Sequence, residues 1–333
     1  MNISKNIINF DDPQTRYLID YANLKQGLIK YQKDFLTKVD FKNFLNKKEL
    51  GYPLVLPLGI KYFNYRTPKK TYTISKKEVK KKIFSCTNNN YIGLKIFFKF
   101  GNKFSSNVSI KKKYLSKLNY IINYNKKLIL ELKKFQRKKK VCAFQTRNIP
   151  HAGHELIINK IIKKNKIVFI NPLIGLKKKG DCRNQTLKIV FNYLSKLPEY
   201  KNKVFYVPII SNMNYAGPRE ALHHCYIREQ IGFDQFTVGR DHAGAENIYN
   251  PLDAVNFVKK NKNKLKIDIF FHAGAYFCNI CEKVVIKSEC RHNNYKQISG
   301  SDFRKKLYSK KYFKYANFKL QNFLKKKNIK LFY

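Results

Sequence analysis

The chain has 333 residues, of which 44% are hydrophobic, so it is long enough for two domains or for one large domain with an accessory one. The formal net charge of +48 at pH 7 favours an acidic partner such as nucleic acid. We expect a cytoplasmic protein with no membrane contact, because every apolar run is shorter than the roughly 18 residues of a membrane span and Met1 to Asp11 lacks the apolar stretch of a signal peptide.

Residues 1–138 are predicted to form a small β-rich accessory domain with helical entry segments. Short apolar runs indicate its strands, at Tyr52 to Leu58, Tyr72 to Ile74, Ile83 to Cys86 and Leu94 to Phe100. The first run contains two prolines, which fits an edge or barrel strand. Lys126 to Lys140 is a lysine-rich helix or linker that leads into the second unit.

Residues 139–333 alternate strand patterns with helix patterns, which is typical of an α/β fold with a parallel sheet. The predicted strands are 141–144, 167–170, 204–210, 236–238 and 267–271. Helices are predicted at 183–197 and between Pro218 and Gly232, since proline suits a first turn and glycine a helix end. Residues 275–333 are expected to form a C-terminal subdomain that ends in a lysine-rich helical tail.

The first strand of this unit ends in an abruptly polar loop, Gln145 to Asn148 (QTRN), and a helix pattern opens around His151 and His154. In an open α/β sheet the ligand crevice lies at the carboxyl ends of the strands, where a helix N-terminus attracts anions. Two histidines at this place can face a phosphate chain, and the fork of Arg147 fits a tetrahedral oxyanion. The alternative is that both histidines are ordinary surface or capping residues.

Three further strings follow strands of the second unit. Asn171 to Asp181 (NPLIGLKKKGD), taken alone, is a plain strand-to-helix loop. Tyr215 to His224 (YAGPREALHH) contains Arg219, a candidate orienting group. In Gly239 to Gly244 (GRDHAG), Arg240 supplies another guanidinium and the glycines allow the backbone to approach a ligand closely.

A cysteine cluster near the C-terminus has the spacing of a metal knuckle. Cys278 and Cys281 form a CxxC pair, and Cys290 and His292 follow. Three thiolates and one imidazole form a tetrahedral zinc site, which would hold together a loop-rich segment. The alternative is that Cys290 and His292 bind no metal, because a spacing of one residue is tight for two ligands.

The last string is Ile298 to Arg304 (ISGSDFR), which opens a predicted helix. Its serines, including Ser299, and its arginine can bind phosphate at the helix N-terminus.

The strings between Val141 and Arg304 together resemble the motifs of the ATP sulfurylase family, also called sulfate adenylyltransferases, in the family's order. The resemblance implies a Rossmann-like nucleotidyltransferase domain preceded by a smaller, PUA-like barrel domain, contracted here. The N-terminal segment is only weakly similar, at Asn23-Leu24, Gly27 and Gly51 to Pro53. The family often has a basic residue where Asn214 stands, so one phosphate contact is expected to be missing.

The resemblance also implies the reaction and the site residues. Sulfate would attack the α-phosphorus of ATP to give adenosine 5′-phosphosulfate and pyrophosphate, with Mg²⁺ accompanying ATP and Zn²⁺ in the cysteine cluster. The residues implied to be catalytic are Thr146, Arg147, Asn148, His151 and His154. Those implied to bind ATP are Gln145, Arg147, His151, His154, Gly239, Arg240, Asp241 and His242. Those implied to hold sulfate are Gln145, Arg147 and Ala243, and those that could orient or bind phosphate are Arg219, Ser299 and Arg304. We also expect a homo-oligomer.

Two alternative functions stay open: a different HxGH adenylyltransferase that acts on a cofactor precursor, and a zinc-containing basic nucleic-acid-binding protein. The charge does not decide for the second, because 59 of the 69 basic residues are lysines and lysine accompanies other residues with A/T-rich codons. All seven histidines lie between His151 and His292, and seven of the ten arginines lie between Arg147 and Arg304. Nucleic-acid binding leaves this clustering unexplained, so nucleic acid is not the expected partner.

Overall fold

The fold is taken from a computed structural model, which describes residues 7–47, 50–66, 71–286, 289–327 and 329–333. Part of the stretch from Met1 to Asp11, examined above for a signal peptide, therefore lies outside the described residues. Among the described residues, none of the helices is both long enough and apolar enough to cross a membrane.

The N-terminal unit contains more helix than strand. Its elements are α1 (Thr15–Lys25), α2 (Lys38–Asn46), β1 (Leu56–Pro57), β2 (Phe63–Tyr65), β3 (Thr71–Thr73), α3 (Lys76–Lys82), α4 (Ile92–Phe97), β4 (Lys103–Ser105), β5 (Val108–Ile110) and α5 (Leu115–Gln136). The described strands form two separate antiparallel sheets, β1-β4-β3 and β2-β5. The predicted PUA-like barrel is therefore not confirmed, and the boundary at residue 138 stays a prediction.

Two of the predicted strands in this unit are wrong. Leu94 to Phe100 lies largely in helix α4, where Leu94 and Phe97, three residues apart, are both buried on one face. Ile83 to Cys86 ends helix α3, and the φ angle of 48° at Ser85 is incompatible with an extended strand. The predicted strand at Tyr72 to Ile74 is confirmed as β3, and the lysine-rich segment before residue 140 belongs mostly to α5.

The second unit alternates strands and helices as predicted. Its elements are β6 (Val141–Phe144), α6 (Ala152–Lys163), β7 (Ile167–Ile170), α7 (Asn184–Leu194), β8 (Val204–Tyr206), α8 (Gly217–Ile231), β9 (Gln235–Val238), α9 (Asp253–Lys260), β10 (Asp268–Phe271), β11 (Ala275–Cys278), β12 (Lys283–Ile286), β13 (Tyr295–Gln297), α10 (Gly300–Tyr308) and α11 (Phe318–Lys325). Helix α8 ends where predicted, at Gly232, whose φ of 96° is a left-handed conformation that glycine adopts without strain.

Five of these strands form one parallel sheet in the order β10-β9-β6-β7-β8. The prediction of a parallel sheet is confirmed. The strand order is that of a Rossmann fold, in which successive strands are added to one side of the first strand and then, from the fourth strand on, to its other side. Here that switch point lies between β6 and β9, which pair through Ala143 and Phe236. The loops that leave these two strands therefore face the same crevice.

Alternate residues of the sheet strands bury into two different hydrophobic cores. Ala143 and Phe169 face a core that is continuous with the N-terminal unit, including Leu18 of α1 and Leu128 of α5. The alternate residues, such as Phe144, face a second core shared with α6, α7, α10 and α11. The N-terminal unit thus covers one face of the sheet together with helices α8 and α9, and the C-terminal helices help to cover the other.

The C-terminal segment contains a small antiparallel sheet, β12-β11-β13, and two helices. The helical tail is shorter than predicted, since α10 ends at Tyr308 and α11 spans Phe318–Lys325. The end of the chain returns to the second unit, where Phe332 pairs with Cys182.

Candidate active site

A cavity of about 460 Å³ opens at the carboxyl edge of the parallel sheet, beside the switch point between β6 and β9. The predicted site residues that line it are Gln145, Thr146, Arg147, Asn148, His151, His154, Gly239, Arg240, Asp241, His242, Ala243, Ser299 and Arg304. Predicted residues from three separate segments of the chain thus meet at one cavity.

His151 and His154 cap the helix that begins at the cavity. The His151 Nδ1 accepts from the Gly153 N–H at 3.1 Å, and the His154 Nδ1 accepts from the His151 N–H at 3.3 Å. The alternative interpretation of the two histidines as capping residues therefore describes their local role. The capping contacts also determine which ring nitrogen carries the proton. Because each Nδ1 is an acceptor, the proton of each neutral ring is assigned to Nε2, which can donate to a ligand.

Both imidazoles are neutral at physiological pH. Burial lowers the pKa of His154 to about 4. Burial, together with the nearby His154 and Arg240, lowers the pKa of His151 well below its ordinary value. The ring centroids lie 4.1 Å apart, so the two N–H donors can act on the same group.

One arm of the Arg147 guanidinium forms a hydrogen bond, and the other arm has no hydrogen-bond partner among the described residues. Its Nη2 donates to the Gly244 carbonyl at 2.6 Å, and its guanidinium carbon lies 5.6 Å from the centre of the Tyr215 ring. Its Nη1 is buried with no hydrogen-bond partner among the described residues. Burial opposes the charge, but Asp181, Tyr215 and Asp241 outweigh it and raise the pKa of Arg147. A buried cation with an unused N–H group is a site for an anion.

The buried His224 of helix α8 orients the side chain of Gln145. The Gln145 Nε2 lies 3.1 Å from the His224 Nδ1, which also lies 3.1 Å from the His242 Nε2. The other nitrogen of His224 lies 3.3 Å from a carboxylate oxygen of Glu220. Glu220 in turn accepts the backbone N–H of Ala216 at 2.8 Å. Helix α8 therefore supports the QTRN loop through side chains for which the sequence predicted no role.

The Gly239 to Gly244 loop is held in an unusual conformation. Asp241 and Ala243 both have left-handed φ angles, 53° and 60°. A side chain at Gly239 has no space, because its Cβ would lie 1.9 Å from the ring of His272. Non-glycine residues in the left-handed region cost free energy and are concentrated at functional sites.

Arg219 lies elsewhere. Its guanidinium carbon is 5.5 Å from the centre of the Phe44 ring, and its N–H groups reach the Lys47 and Gly51 carbonyls at 3.4 and 3.5 Å. These residues belong to the N-terminal unit, and Arg219 does not line the cavity. An orienting role for it at the cavity does not fit this position, because its guanidinium is directed at another surface.

Asn214 is also outside the cavity lining. It is 1% exposed, and its carboxamide oxygen accepts from Arg16 of helix α1. Arg16 therefore places a positive charge beside Asn214, the position at which the family often has a basic residue. No sequence pattern indicates this contact, which joins residues 198 positions apart.

Several cavity residues were not predicted. They are Lys177, Lys178, Asp181, His272 and Gln297. Burial lowers the pKa of Lys177 to about 8 and that of His272 to about 4. Lys177, Lys178 and Asp181 lie in the string after β7, which taken alone is a plain loop. The one sequence feature that could have identified them is the position of this string at the carboxyl end of a strand.

The N-terminus of α10 closes the cavity from the C-terminal side. The Ser299 hydroxyl caps this helix by accepting the Ser301 N–H at 3.2 Å. Arg304 donates from Nη1 to the Asn148 side-chain oxygen at 2.8 Å. The last predicted string is thus attached directly to the QTRN loop.

The four predicted metal ligands converge at one point. The ligand atoms of Cys278, Cys281, Cys290 and His292 all lie within 4.8 Å of one another. Two Sγ–Sγ distances are 3.7 and 3.8 Å, and the three Sγ–Nδ1 distances to His292 are 3.1, 3.5 and 3.6 Å. Tetrahedral zinc with ordinary bond lengths requires about 3.8 and 3.6 Å for these pairs. Four of the five distances agree with these values, and the distance from the Cys281 Sγ to the His292 Nδ1 is shorter, at 3.1 Å. The donor set therefore fits a tetrahedral metal, and the spacing of one residue between Cys290 and His292 does not prevent this.

Comparison with known proteins agrees with this arrangement. A family model described as ATP-sulfurylase matches residues 124–312. The chain is 31% identical over 312 residues to the sulfate adenylyltransferase of Pyrococcus abyssi, covering 86% of this chain and 81% of that protein. It is 30% identical over 318 residues to the sulfate adenylyltransferase of Thermococcus onnurineus, covering 87% and 82%.

Among solved structures, the fold is similar to that of a hexameric APS kinase from Thiobacillus denitrificans, with a TM-score of 0.58 and 12% identity. The match covers 94% of this chain and 62% of that one, so this chain spans less than two thirds of that structure. At this identity the likeness concerns the fold alone. The sequence matches, together with the convergence of the motifs on one cavity, establish that the chain belongs to the ATP sulfurylase family.

Proposed function

We propose that this protein is a sulfate adenylyltransferase, which converts ATP and sulfate into adenosine 5′-phosphosulfate and pyrophosphate. The observation that carries the proposal is the position of Arg147, a partly buried cation with an unused N–H group, beside two neutral imidazole donors in one cavity. Family membership supports the same reaction.

Sulfate would be seated by Arg147, Gln145 and the backbone at Ala243. The Gly244 carbonyl holds one arm of the Arg147 guanidinium, so the other arm is oriented before the anion arrives. Gln145 is oriented by His224, and the left-handed Ala243 belongs to the loop that Arg147 contacts. Preorganised donors stabilise charge without the cost of reorganisation.

The phosphate chain of ATP would lie at the N-terminus of helix α6, where His151 and His154 present their Nε2–H groups. Negative charge grows on the departing pyrophosphate as the bond to the α-phosphorus breaks. Two N–H donors and the positive end of the helix dipole stabilise that charge. Arg240 and the loop from Gly239 to His242 would hold the nucleotide.

The reaction needs no general base and no covalent enzyme intermediate, because sulfate is already an anion at neutral pH. The difficulty is to bring two anions together in an attacking geometry. The site addresses this by positioning and by local positive charge, from Arg147, Arg240 and Lys177. Mg²⁺ accompanies ATP and neutralises part of the phosphate charge.

We propose that the cluster of Cys278, Cys281, Cys290 and His292 binds one structural Zn²⁺. Four ligands leave no open position for a reacting group, so the metal would stabilise the fold of the knuckle. In this role it holds β11 and β13, whose other ends line the active-site cavity.

The test is to incubate the purified protein with ATP, Mg²⁺, sulfate and a pyrophosphatase, and to measure adenosine 5′-phosphosulfate. Sulfate-dependent product is expected, and its absence in a folded protein that binds ATP would refute the proposed acceptor. Replacing sulfate by a cofactor precursor in the same assay tests the other HxGH adenylyltransferases. Light scattering tests the expected homo-oligomer.

A further inference from the structure

We propose that Tyr276 and Gln297 are positioning residues for Arg240, so that the cysteine–histidine knuckle sets the affinity of the nucleotide site. The inference rests on the proposed function, in which Arg240 holds ATP. That arginine is kept in place by the segment that also carries the metal-ligand cluster.

The contacts surround the guanidinium of Arg240. Its carbon lies 5.4 Å from the centre of the Tyr276 ring, and its Nη1 lies 3.4 Å from the Tyr276 hydroxyl. In the amide orientation that satisfies its hydrogen bonds, the Gln297 oxygen accepts from Nη2 at 2.8 Å and from Nη1 at 3.3 Å. Arginine has a long, flexible side chain, so fixing it before the ligand binds lowers the entropic cost of binding.

Both partners are electrically neutral. An aromatic face and a carboxamide oxygen orient the guanidinium without cancelling its charge, whereas a carboxylate would compete with the phosphates. Arg240 is near enough to His151 to disfavour the protonated imidazole, so the guanidinium lies beside the same part of the cavity as the helix α6 N-terminus.

The two positioning residues are directly opposite each other on neighbouring strands. Tyr276 of β11 pairs with Gln297 of β13, and two residues further along the same ladder Cys278 pairs with Tyr295. The Tyr295 hydroxyl donates to the Cys290 carbonyl at 2.9 Å. One end of the ladder therefore belongs to the metal-ligand cluster, and the other end holds Arg240. Because the cluster fixes the register of β11 against β13, it also fixes the positions of Tyr276 and Gln297 around the guanidinium.

The same sheet also packs on the helix that carries the two histidines. A Cβ placed on Gly153 would lie 3.2 Å from the Ala275 side chain, and Lys160 forms an ion pair with Glu289. The knuckle thus contacts both phosphate-binding elements, the loop after β9 and helix α6.

The experiment is a double-mutant cycle on ATP binding. Calorimetry with Mg²⁺ and ATP is run on Tyr276→Leu and Gln297→Ala, each alone and combined with Arg240→Met. Tyr276→Leu is expected to raise the Kd about 3- to 10-fold, the range for a lost cation–π contact, and Gln297→Ala about 10- to 100-fold, the range for a lost hydrogen bond to a charged group. In the Arg240→Met background the same changes should have almost no effect, because they act through the missing guanidinium.

Two matched variants sharpen the result. Tyr276→Phe keeps the ring face and loses only a long hydrogen bond, so it should retain most of the affinity. Tyr308→Leu removes a 65% exposed tyrosine of the same subdomain and should leave the Kd unchanged. In steady-state assays, Tyr276→Leu should raise the KM for ATP more than it lowers kcat.

Equal effects of Tyr276→Leu with and without Arg240 would overturn the proposal, as would an unchanged Kd in a folded protein with full metal content. A wild-type protein that binds ATP but forms no adenosine 5′-phosphosulfate would instead refute the proposed reaction, and the cycle would still report on Arg240.

Discussion

Replacing Arg147 by lysine keeps the charge and removes the fork. Lysine carries all its N–H donors on one nitrogen, whereas arginine spreads them over a rigid planar fork. An ammonium that bonds to the Gly244 carbonyl, as the Arg147 Nη2 does at 2.6 Å, therefore cannot also place a donor at the position of the other arm, where sulfate is proposed to bind. A hydrogen bond to a charged group contributes about 1.5–3 kcal/mol, and about 1.4 kcal/mol is a factor of ten. We therefore expect Arg147→Lys to lower kcat/KM for sulfate about 10- to 100-fold, and Arg147→Ala, which also removes the charge, to lower it further.

The assay is adenosine 5′-phosphosulfate formation against sulfate concentration, with ATP binding measured by calorimetry on the same variants. ATP should still bind, because the loop from Gly239 to His242 and helix α6 remain. Arg219→Lys is the matched control, since Arg219 is a buried arginine of the same second unit that lies against the N-terminal unit instead of the cavity. It should keep near-normal activity.

The reasoning is refuted if Arg147→Lys retains near-normal activity with sulfate. If the variant instead loses ATP binding while its fold survives, Arg147 belongs to the nucleotide site. The sulfate contact would then move to another cation of the cavity, such as Arg240 or Lys177. A loss of activity in Arg219→Lys equal to that in Arg147→Lys would restore the orienting role predicted for Arg219.

Three further predictions follow from the same site. His154→Ala should lower kcat about 10²- to 10³-fold with little change in the KM for ATP, and a wild-type kcat would leave His154 as a helix cap only. The stability advantage of wild type over His154→Gln should shrink as pH falls from 6.5 to 4, because the depressed pKa makes the folded state resist protonation; a gap in unfolding free energy that is constant with pH contradicts this. Metal analysis should find about one zinc per chain, and Cys278→Ser should lower the melting temperature; a metal-free protein with an unchanged melting temperature contradicts the site.

The sequence by itself determined the parallel sheet and the position of the cavity. The apolar runs at 141–144 and 167–170 are buried on both faces of a sheet, so their composition reports their environment directly. The polar strings after β6 and β9 then had to meet, because parallel strands place their carboxyl ends at one edge. Each of these features depends either on a short stretch of sequence or on the topology of a parallel sheet. Residues such as His151 and Arg240 could therefore be predicted from the sequence.

Where the local pattern had two solutions, tertiary packing decided. Leu94 to Phe100 is apolar at both helical and strand spacings, and its burial against the N-terminal core selected the helix. Arg219 has the chemistry of a phosphate ligand, but it lies on the side of α8 that packs against the N-terminal unit. A guanidinium is equally suited to a carbonyl, an aromatic face or an oxyanion, so its partner is set by position.

The contacts that orient the site residues could only come from the tertiary structure. Gln145 meets His224 across 79 residues of chain, and Arg304 meets Asn148 across 156. No spacing rule connects such pairs, because their separation depends on the lengths of every intervening element. The sequence determined which groups are available for the chemistry, and the packing of α8 and the C-terminal segment around the cavity decided which way those groups point.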